Sequence, residues 1–354
     1  MKYILLFTIL ILSCSEFQSV QVSLKDSAQL KPVKKKKPVI KNTFTLPPKD
    51  PKINWSQEKI PKNTKKVSKF CKKVDKYFYK MGWGPSRCKH FSWHHVRNSV
   101  KGDPLMWVVF GDEKGHQLKR KNTTLLMCGV HGDEITPNKF CLDAIYHVKR
   151  FEYLYHDKLI VIVPFVSPDS FFKRRRTRTN HRGVDLNRNF PTKDWNKNAL
   201  RLWKTKYRKD KRRFPGKRSL SEPETLFQVN LIKRYKPNKI ISVHAPLTIL
   251  DYDGPKKAIK GDKIGPQAKN LLVQMSKRAN GYQIKDYPFY PGSLGNWAGN
   301  ERGIPTYTLE LPSSDNRKHR EFWNLFRNAI HTAILKDFRS KKEVKVTNNT
   351  SKKK

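Results

Sequence analysis

Short apolar runs alternate along this chain with longer stretches in which apolar residues recur every three or four positions. The runs, over residues 105–110, 123–130, 158–166, 239–244 and 306–311, are rich in Val, Ile, Leu and Phe and have the length of buried strands. Helical spacing marks the stretches over 137–149, 222–235, 266–279 and 321–338. The last of these carries Phe322, Leu325, Phe326, Ala329, Ile330, Ala333 and Ile334 on one side, the stripe of a helix lying against a core. The helix over 222–235 opens with Ser221-Glu222-Pro223-Glu224, where Ser and Glu three apart predict a capping box with Pro in the first turn. Strands alternating with helices predict an α/β domain. No internal repeat is present, and the segment from 67 to 100 receives no element. Trp93, His94 and His95 within it read either as a lid or as packing.

Both ends break the alternation. Residues 15–66 are rich in Lys, Pro and polar residues, with Lys34-Lys35-Lys36-Lys37 consecutive and Pro at 32, 38, 47, 48, 51 and 61. Such a stretch buries too little apolar surface to offset its ordering entropy, so a disordered basic tether is expected there, with a similar tail over 339–354 and the folded domain over 67–338. Residues 1–14 read as an export signal: Lys2, an apolar stretch of ten residues from Tyr3 to Leu12, then Ser13-Cys14. A bilayer span needs roughly 20 apolar residues, so an anchor helix is not expected. Ile11-Leu12-Ser13-Cys14 resembles a bacterial lipobox, whose Cys becomes an acylated N-terminus. The expectation is an exported bacterial protein, lipid-anchored through Cys14 at the cell envelope and facing the periplasm or the cell surface.

Composition changes this picture in two ways. The chain of 354 residues carries a formal charge of +46, which would ordinarily suggest nucleic acid. Residues 15–66 hold thirteen Lys against four acids and residues 339–354 seven basic residues against one acid, yet removing both and Lys2 still leaves +30 on the middle. For an exported chain the polyanions at hand are lipid headgroups, wall polymers and substrate carboxylates. Anionic surface polymers or lipids are therefore the expected partners of the charge, and nucleic acid is not. Export also permits disulfides among the even set Cys71, Cys88, Cys128 and Cys141. Cys71 and Cys88 flank a Gly82-Trp83-Gly84-Pro85 turn and form the pair to expect. Cys128 in a buried strand and Cys141 in a helix are expected as free apolar thiols.

Candidate chemistry gathers at the predicted strand ends. His131 and His244 follow or close two strands and Glu310 lies near the end of a third, the edge at which open α/β sheets bind ligands. His131-x-x-Glu134 alone is a weak signal, but Gly129 and Gly132 around it allow a sharp turn that brings both side chains to one point. A His, a Glu and a second His form a catalytic zinc set with the fourth position left to water. Glu310 interrupts the apolar run Thr308-Leu309-Glu310-Leu311-Pro312, and an unpaired buried carboxylate is costly, so it should face a cavity or a cation. As general base it would take the proton of the attacking water and pass it to the leaving amine. The competing readings are a core histidine at 244 and a structural salt bridge at 310.

Gly129-Val130-His131-Gly132-Asp133-Glu134, the run Arg178-Thr179-Asn180-His181-Arg182-Gly183-Val184-Asp185-Leu186-Asn187-Arg188-Asn189-Phe190-Pro191, and Ser221-Glu222-Pro223-Glu224-Thr225 together resemble the zinc carboxypeptidase family of carboxypeptidase A type over about residues 90–338. His244-Ala245-Pro246, Asp251-Tyr252-Asp253-Gly254-Pro255 and Pro291-Gly292-Ser293-Leu294-Gly295-Asn296-Trp297 resemble its bacterial murein peptide amidase branch. The resemblance implies a mixed, mostly parallel central sheet with helices on both faces, and one Zn2+ per chain held by His131, Glu134 and His244. Glu310 would be the general base, Arg178 would stabilise the oxyanion, and Asn187 and Arg188 would bind the substrate's terminal carboxylate. Asn187 reads alternatively as a turn former. The family's mobile Tyr falls at Tyr287 or Tyr290, and Tyr287 is preferred. Asp133 departs from the basic residue of pancreatic-type enzymes and agrees with the amidase branch. That branch cleaves the γ-D-glutamyl to meso-diaminopimelate bond of cell-wall peptides, the substrate expected here. Lys173-Arg174-Arg175-Arg176 either steers its carboxylates or is a solvated loop. Two other functions stay open: a metallocarboxypeptidase acting on protein or peptide C-termini, for which Asp251 and Asp253 are the candidate acidic pocket, and a non-catalytic wall- or polyanion-binding lipoprotein.

Overall fold

The structure is a computed structural model that describes residues 46, 47, 49–256 and 264–338. The export signal, Cys14, the tether up to residue 45 and the tail over 339–354 lie outside the described residues. In chain order the elements are α1 (Lys65–Lys80), β1 (His94–Asn98), β2 (Pro104–Phe110), α2 (Glu113–Leu118), β3 (Asn122–Cys128), α3 (Thr136–Arg150), β4 (Lys158–Val163), α4 (Pro168–Phe171) and α5 (Trp195–Thr205). They continue with α6 (Pro223–Tyr235), β5 (Lys239–His244), β6 (Ile249–Tyr252), α7 (Ile264–Arg278), β7 (Ile284–Lys285), β8 (Thr306–Glu310) and α8 (His319–Leu335).

The described strands form one sheet in the order β1-β2-β4-β3-β5-β8-β6-β7. Its centre, β4-β3-β5-β8, is parallel, and β1, β2 and β6 add antiparallel pairs. Apolar runs rather than alternating patterns encode the central strands because both faces are covered. Leu126 and Cys128 of β3 enter the core shared with α1, α3, α7 and α8, while Leu125 and Met127 enter the core shared with α6, Leu186, Phe190 and Trp297. The five strands and four helices expected from periodicity are all present, with bounds shifted by a few residues.

Four expectations need correction. First, the ordered chain starts before residue 67. Leu46 is buried, Asp50 pairs with Arg150 and with Arg327 at 2.8 Å, and Trp55 packs on His90, Phe91 and Tyr146. A few apolar and acidic residues with specific partners settle residues 46–64, which composition averaged over the whole stretch conceals. Second, the unassigned segment supplies α1 and β1. Trp93 is buried with its indole N–H donating to the Cys88 carbonyl at 2.8 Å, His94 stacks on Trp107, and His95 lies 2.9 Å from the Asn98 side chain, so these residues pack rather than cover a site. Third, the capping box at Ser221 does not form. The N-cap of α6 is Glu222, and Ser221 and Glu224 hold other partners described below.

The fourth correction concerns the thiols. Cys71 and Cys88 are bonded as expected, but Cys128 and Cys141 are bonded too, with Cα atoms 6.1 Å apart. Helix α3 packs directly against the end of β3, which brings Cys141 within disulfide reach, a proximity that spacing along the chain does not reveal. Alkylation of the denatured, unreduced chain should therefore modify none of these four cysteines. Closing a loop of thirteen residues, the Cys128–Cys141 bond should contribute about 3 kcal/mol, read as the loss of unfolding free energy in Cys128→Ala/Cys141→Ala.

Candidate active site

The turn after β3 depends on two glycines. Gly129 has φ +70°, and a Cβ on Gly132 would lie 2.4 Å from the Ser170 carbonyl carbon and 2.6 Å from the Phe171 nitrogen. Only a glycine lets this loop pass so close beneath α4, and the resulting turn faces His131 and Glu134 toward each other. His244 ends β5, and the parallel register pairs it with Glu310, the last residue of β8. β3, β5 and β8 are neighbours, so the three strand ends deliver four buried side chains to one place.

Their donor atoms converge. One ligand atom each from His131, Glu134 and His244 lie within 4.8 Å of one another. His131 Nδ1 is 2.8 Å from Glu134 Oε1, His244 Nδ1 is 3.0 Å from Glu134 Oε2, and the two Nδ1 atoms are 3.2 Å apart. The outer nitrogens are occupied: His131 Nε2 is 3.1 Å from Asp185 Oδ1 and His244 Nε2 is 2.9 Å from Ser242 Oγ. With Nε2–H donated to Asp185, neutral His131 turns a lone pair toward a carboxylate, an arrangement that requires a cation between them. A proton or a metal ion satisfies it, and imidazole plus carboxylate is a donor set suited to zinc. Burial opposes ionisation of Glu134, but His131 and His244 outweigh it and hold its carboxyl far below the usual range. His131 is desolvated and faces Arg178, yet Glu134 and Asp185 leave its pKa above the ordinary imidazole value.

Asp185 is the support beneath this centre. Fully buried, it also accepts from Arg178 Nε at 3.0 Å and from the Asn187 backbone N–H at 3.0 Å, while Arg178 donates through Nη1 to Glu134 Oε1 at 3.1 Å. The loop carrying Asp185, Asn187 and Arg188 is fixed at both ends to the start of α6. At one end the Asn180 amide donates to Glu222 Oε2 at 2.7 Å and Glu224 Oε2 at 3.0 Å. At the other, Asn189 donates to Ser221 Oγ at 3.1 Å and accepts from the Glu222 backbone N–H at 3.2 Å. Here the side chains expected in a capping box are employed instead. Burial pushes Glu224 up to about 7, against the hydrogen bond from Asn180.

A cleft of about 640 Å³ opens over the centre and is lined by His131, Glu134, Arg178, Asn187, Arg188 and Glu310, together with Asp251, Asp253, Tyr287 and Tyr290. All the candidate residues from the sequence thus border one space. Burial raises the pKa of Glu310, to which Glu134 adds and which His244 opposes, and its Oε2 accepts from the Leu247 N–H at 3.3 Å. Arg188 stacks over the Tyr290 ring at 4.7 Å and its buried Nε has no protein partner, leaving a donor for an anion. Asn187 sits in the Asp185 turn, its Oδ1 accepts from Leu294 N–H at 2.8 Å, and the residue borders the cleft. Tyr287 is 41% exposed, whereas Tyr290 is held under Arg188. Of the basic loop, Lys173, Arg174 and Arg175 are exposed, but Arg176 is tied to the Tyr77 hydroxyl and the Phe171 carbonyl. Sequence reasoning assigned no role to Asp185 or Ser242. A lone acid between Val184 and Leu186 was the available signal for the first, and nothing local marked the second.

The sequence pattern of the family described as zinc carboxypeptidase matches residues 85–338. The chain is 30% identical over 222 residues to the Murein peptide amidase A of Vibrio campbellii, covering 60% of this chain and 77% of that protein. To the protein of the same name from Escherichia coli K12 it is 28% identical over 230 residues, covering 64% and 84%. Among solved structures, bovine thrombin-activatable fibrinolysis inhibitor in complex with tick carboxypeptidase inhibitor superposes with a TM-score of 0.56 at 19% identity, covering 74% of this chain and 96% of that one, a likeness of fold.

Two measurements check this geometry. Asp185→Ala should weaken zinc binding about 10- to 100-fold in a competitive metal titration, and an unchanged affinity would show that His131 needs no support. Glu224 keeps its proton in the fold to about pH 7 but releases it near 4.5 when unfolded. Its contribution to stability is therefore complete below pH 4.5 and declines as pH rises to about 7. Glu224→Gln, uncharged throughout, should gain on the parent by up to about 3 kcal/mol of unfolding free energy between pH 5 and pH 8, and a difference flat with pH would contradict the assignment.

Proposed function

This chain belongs to the zinc carboxypeptidase family and is a hydrolase related to murein peptide amidases at about 30% identity, and from that premise we propose that it cleaves the γ-D-glutamyl to meso-diaminopimelate bond of peptidoglycan stem peptides. The observation that carries the reading is the mixed charge of the cleft. Arg188, with its free buried donor, and Asn187 stand on one side, while Asp251 and Asp253 line the same space. Burial, then the charge of Asp251, raises Asp253 above the usual carboxylate range, and the Thr308 hydroxyl donates to it. Diaminopimelate presents carboxylates and an amino group together, so both sets have partners in one residue.

His131, Glu134 and His244 would hold the zinc ion. When bound, zinc supplies Lewis acidity, polarising the amide carbonyl and acidifying a water. Glu310, buried and beside His244 in the sheet register, takes the proton of the attacking water and delivers it to the leaving amine. Its raised pKa favours that second transfer. Arg178 lies within reach of the metal set through Glu134 and stabilises the developing oxyanion. Asn187 and Arg188 fix the terminal carboxylate, Arg188 by charge and hydrogen bonds. Tyr287, the more exposed of the two tyrosines, is the side chain free to close over substrate.

The same reading has the chain exported and held at the envelope by an acylated Cys14. Two disulfides support an oxidising compartment. Asp251 and Asp253 also favour a second reading, removal of C-terminal Lys or Arg from peptides.

Incubation of the purified protein with L-Ala-γ-D-Glu-meso-diaminopimelate, followed by mass analysis, should show release of free diaminopimelate that chelator abolishes. Faster hydrolysis of peptides ending in Lys would replace the amidase reading with the second. Glu310→Gln should lower kcat by about 10² to 10⁴-fold while zinc content stays at the parent level.

A further inference from the structure

Helix α1 carries seven lysines, and all of them are exposed. At 3.6 residues per turn, Lys65, Lys66, Lys69, Lys72, Lys73, Lys76 and Lys80 fall within an arc of about 120° along a rod of roughly 24 Å. The opposite side, Val67, Phe70, Cys71, Val74 and Phe78, is buried and further fastened by the Cys71–Cys88 bond. The helix therefore cannot roll, and its lysine side is fixed outward. Compensation is small. Among the described residues only Lys73 has an acidic partner, Asp103, and the one acid of the helix, Asp75, is taken by the N–H and hydroxyl of Ser86 at 2.8 and 2.6 Å.

The stripe does not end with the helix. Lys73 lies 4.4 Å over the Phe172 ring, Tyr77 donates to the Phe171 carbonyl at 3.3 Å, and Arg176 bonds to the Tyr77 hydroxyl. These contacts seat exposed Lys173, Arg174 and Arg175 beside α1, three residues before Arg178 at the cleft. Tyr79, 63% exposed, borders the arc with an aromatic ring suited to a headgroup boundary. None of these residues lines the cleft.

We propose that the lysine face of α1, continued by residues 173–175, is a docking surface for the phosphate-bearing face of an anionic lipid bilayer. Lysine ammonium groups are compact point charges that meet phosphates without demanding fixed geometry. A straight row of them with no concavity matches an extended anionic plane rather than a single bound anion, and no base-stacking platform accompanies it as a nucleic-acid strand would need. The choice of a lipid surface over a wall polymer rests on the lipid-anchored reading of Cys14: α1 is the first described helix after that residue. Docked this way, the cleft is held at the bilayer with a constant orientation, which attachment at a single acylated residue would not by itself impose.

The test uses the mature chain from residue 14 with Cys14→Ser, so that neither an acyl group nor the apolar signal contributes and the surface is judged apart from both the anchor and the hydrolase reading. Partition onto vesicles of phosphatidylcholine and phosphatidylglycerol at 7:3 is compared with pure phosphatidylcholine by cosedimentation. Each surface lysine adds about fivefold to such binding. Lys65→Gln/Lys69→Gln/Lys72→Gln/Lys76→Gln should lower partition to the anionic vesicles by about two orders of magnitude or more. Neutralising Lys34, Lys35, Lys36 and Lys37 to Gln, an equal change of charge, should leave it within about tenfold of the parent, and no variant should bind pure phosphatidylcholine. A far-UV circular dichroism spectrum and a thermal unfolding midpoint matching those of the parent in the α1 variant show that the fold is intact. Equal losses for the two quadruple variants would reduce the effect to total charge and overturn the proposal, as would unchanged binding of the α1 variant. Stripe-dependent binding to isolated wall polymer without binding to vesicles would overturn it in favour of that polymer.

Discussion

The centre of this molecule is a pair of acceptors, His131 Nδ1 and the Glu134 carboxylate, brought too close together to remain without a cation. His131 and His244 aim Nδ1 atoms at one another and at the two oxygens of Glu134, inside a buried space where repulsion between lone pairs and negative charge is poorly screened. A cation resolves the conflict, and the surrounding structure serves to maintain it. Asp185 keeps His131 in the tautomer that points a lone pair inward, and Ser242 occupies the outer nitrogen of His244. Asp185 in turn is held by a loop whose ends, Asn180 and Asn189, are hydrogen-bonded to residues at the start of α6.

This chain of supports explains why acidic residues with no part in the chemistry are buried. Glu222 and Glu224 are both nearly inaccessible and both accept from one asparagine, an arrangement that costs solvation free energy and is offset by the hydrogen bonds that close the loop. The parallel register of β5 and β8 performs the other half of the task. It places Glu310 beside His244 without any direct bond between them, so its carboxyl stays near the His131, Glu134 and His244 set yet is free to face the cleft.

Positive charge on this chain falls into separate populations with different physical roles. Arg178 and Arg188 are largely withdrawn from solvent and border the cleft, Arg178 paired with Asp185 and Glu134 and Arg188 with a buried Nε that has no protein partner. The lysines of α1 face solvent on a helix whose opposite side is locked into the core. A composition total merges the two, and only burial separates them.

The strand runs, the four long helices and the meeting of His131, Glu134, His244 and Glu310 at one place were legible in the sequence, because hydrophobic periodicity reports burial and these four residues sit at or beside strand ends that periodicity locates. What stayed hidden has one cause in common, dependence on partners distant along the chain. Nothing near Cys128 announces that α3 will set Cys141 against it, nothing near Ser221 announces that Asn189 will claim its hydroxyl, and Asp50 and Trp55 look like tether residues until Arg327 and Tyr146 meet them. Local pattern alone determined which segments are buried and which polar side chains gather at the strand ends. Tertiary structure decided which of those side chains support one another, since hydrogen bonds and disulfides depend on distances in space that sequence separation does not encode.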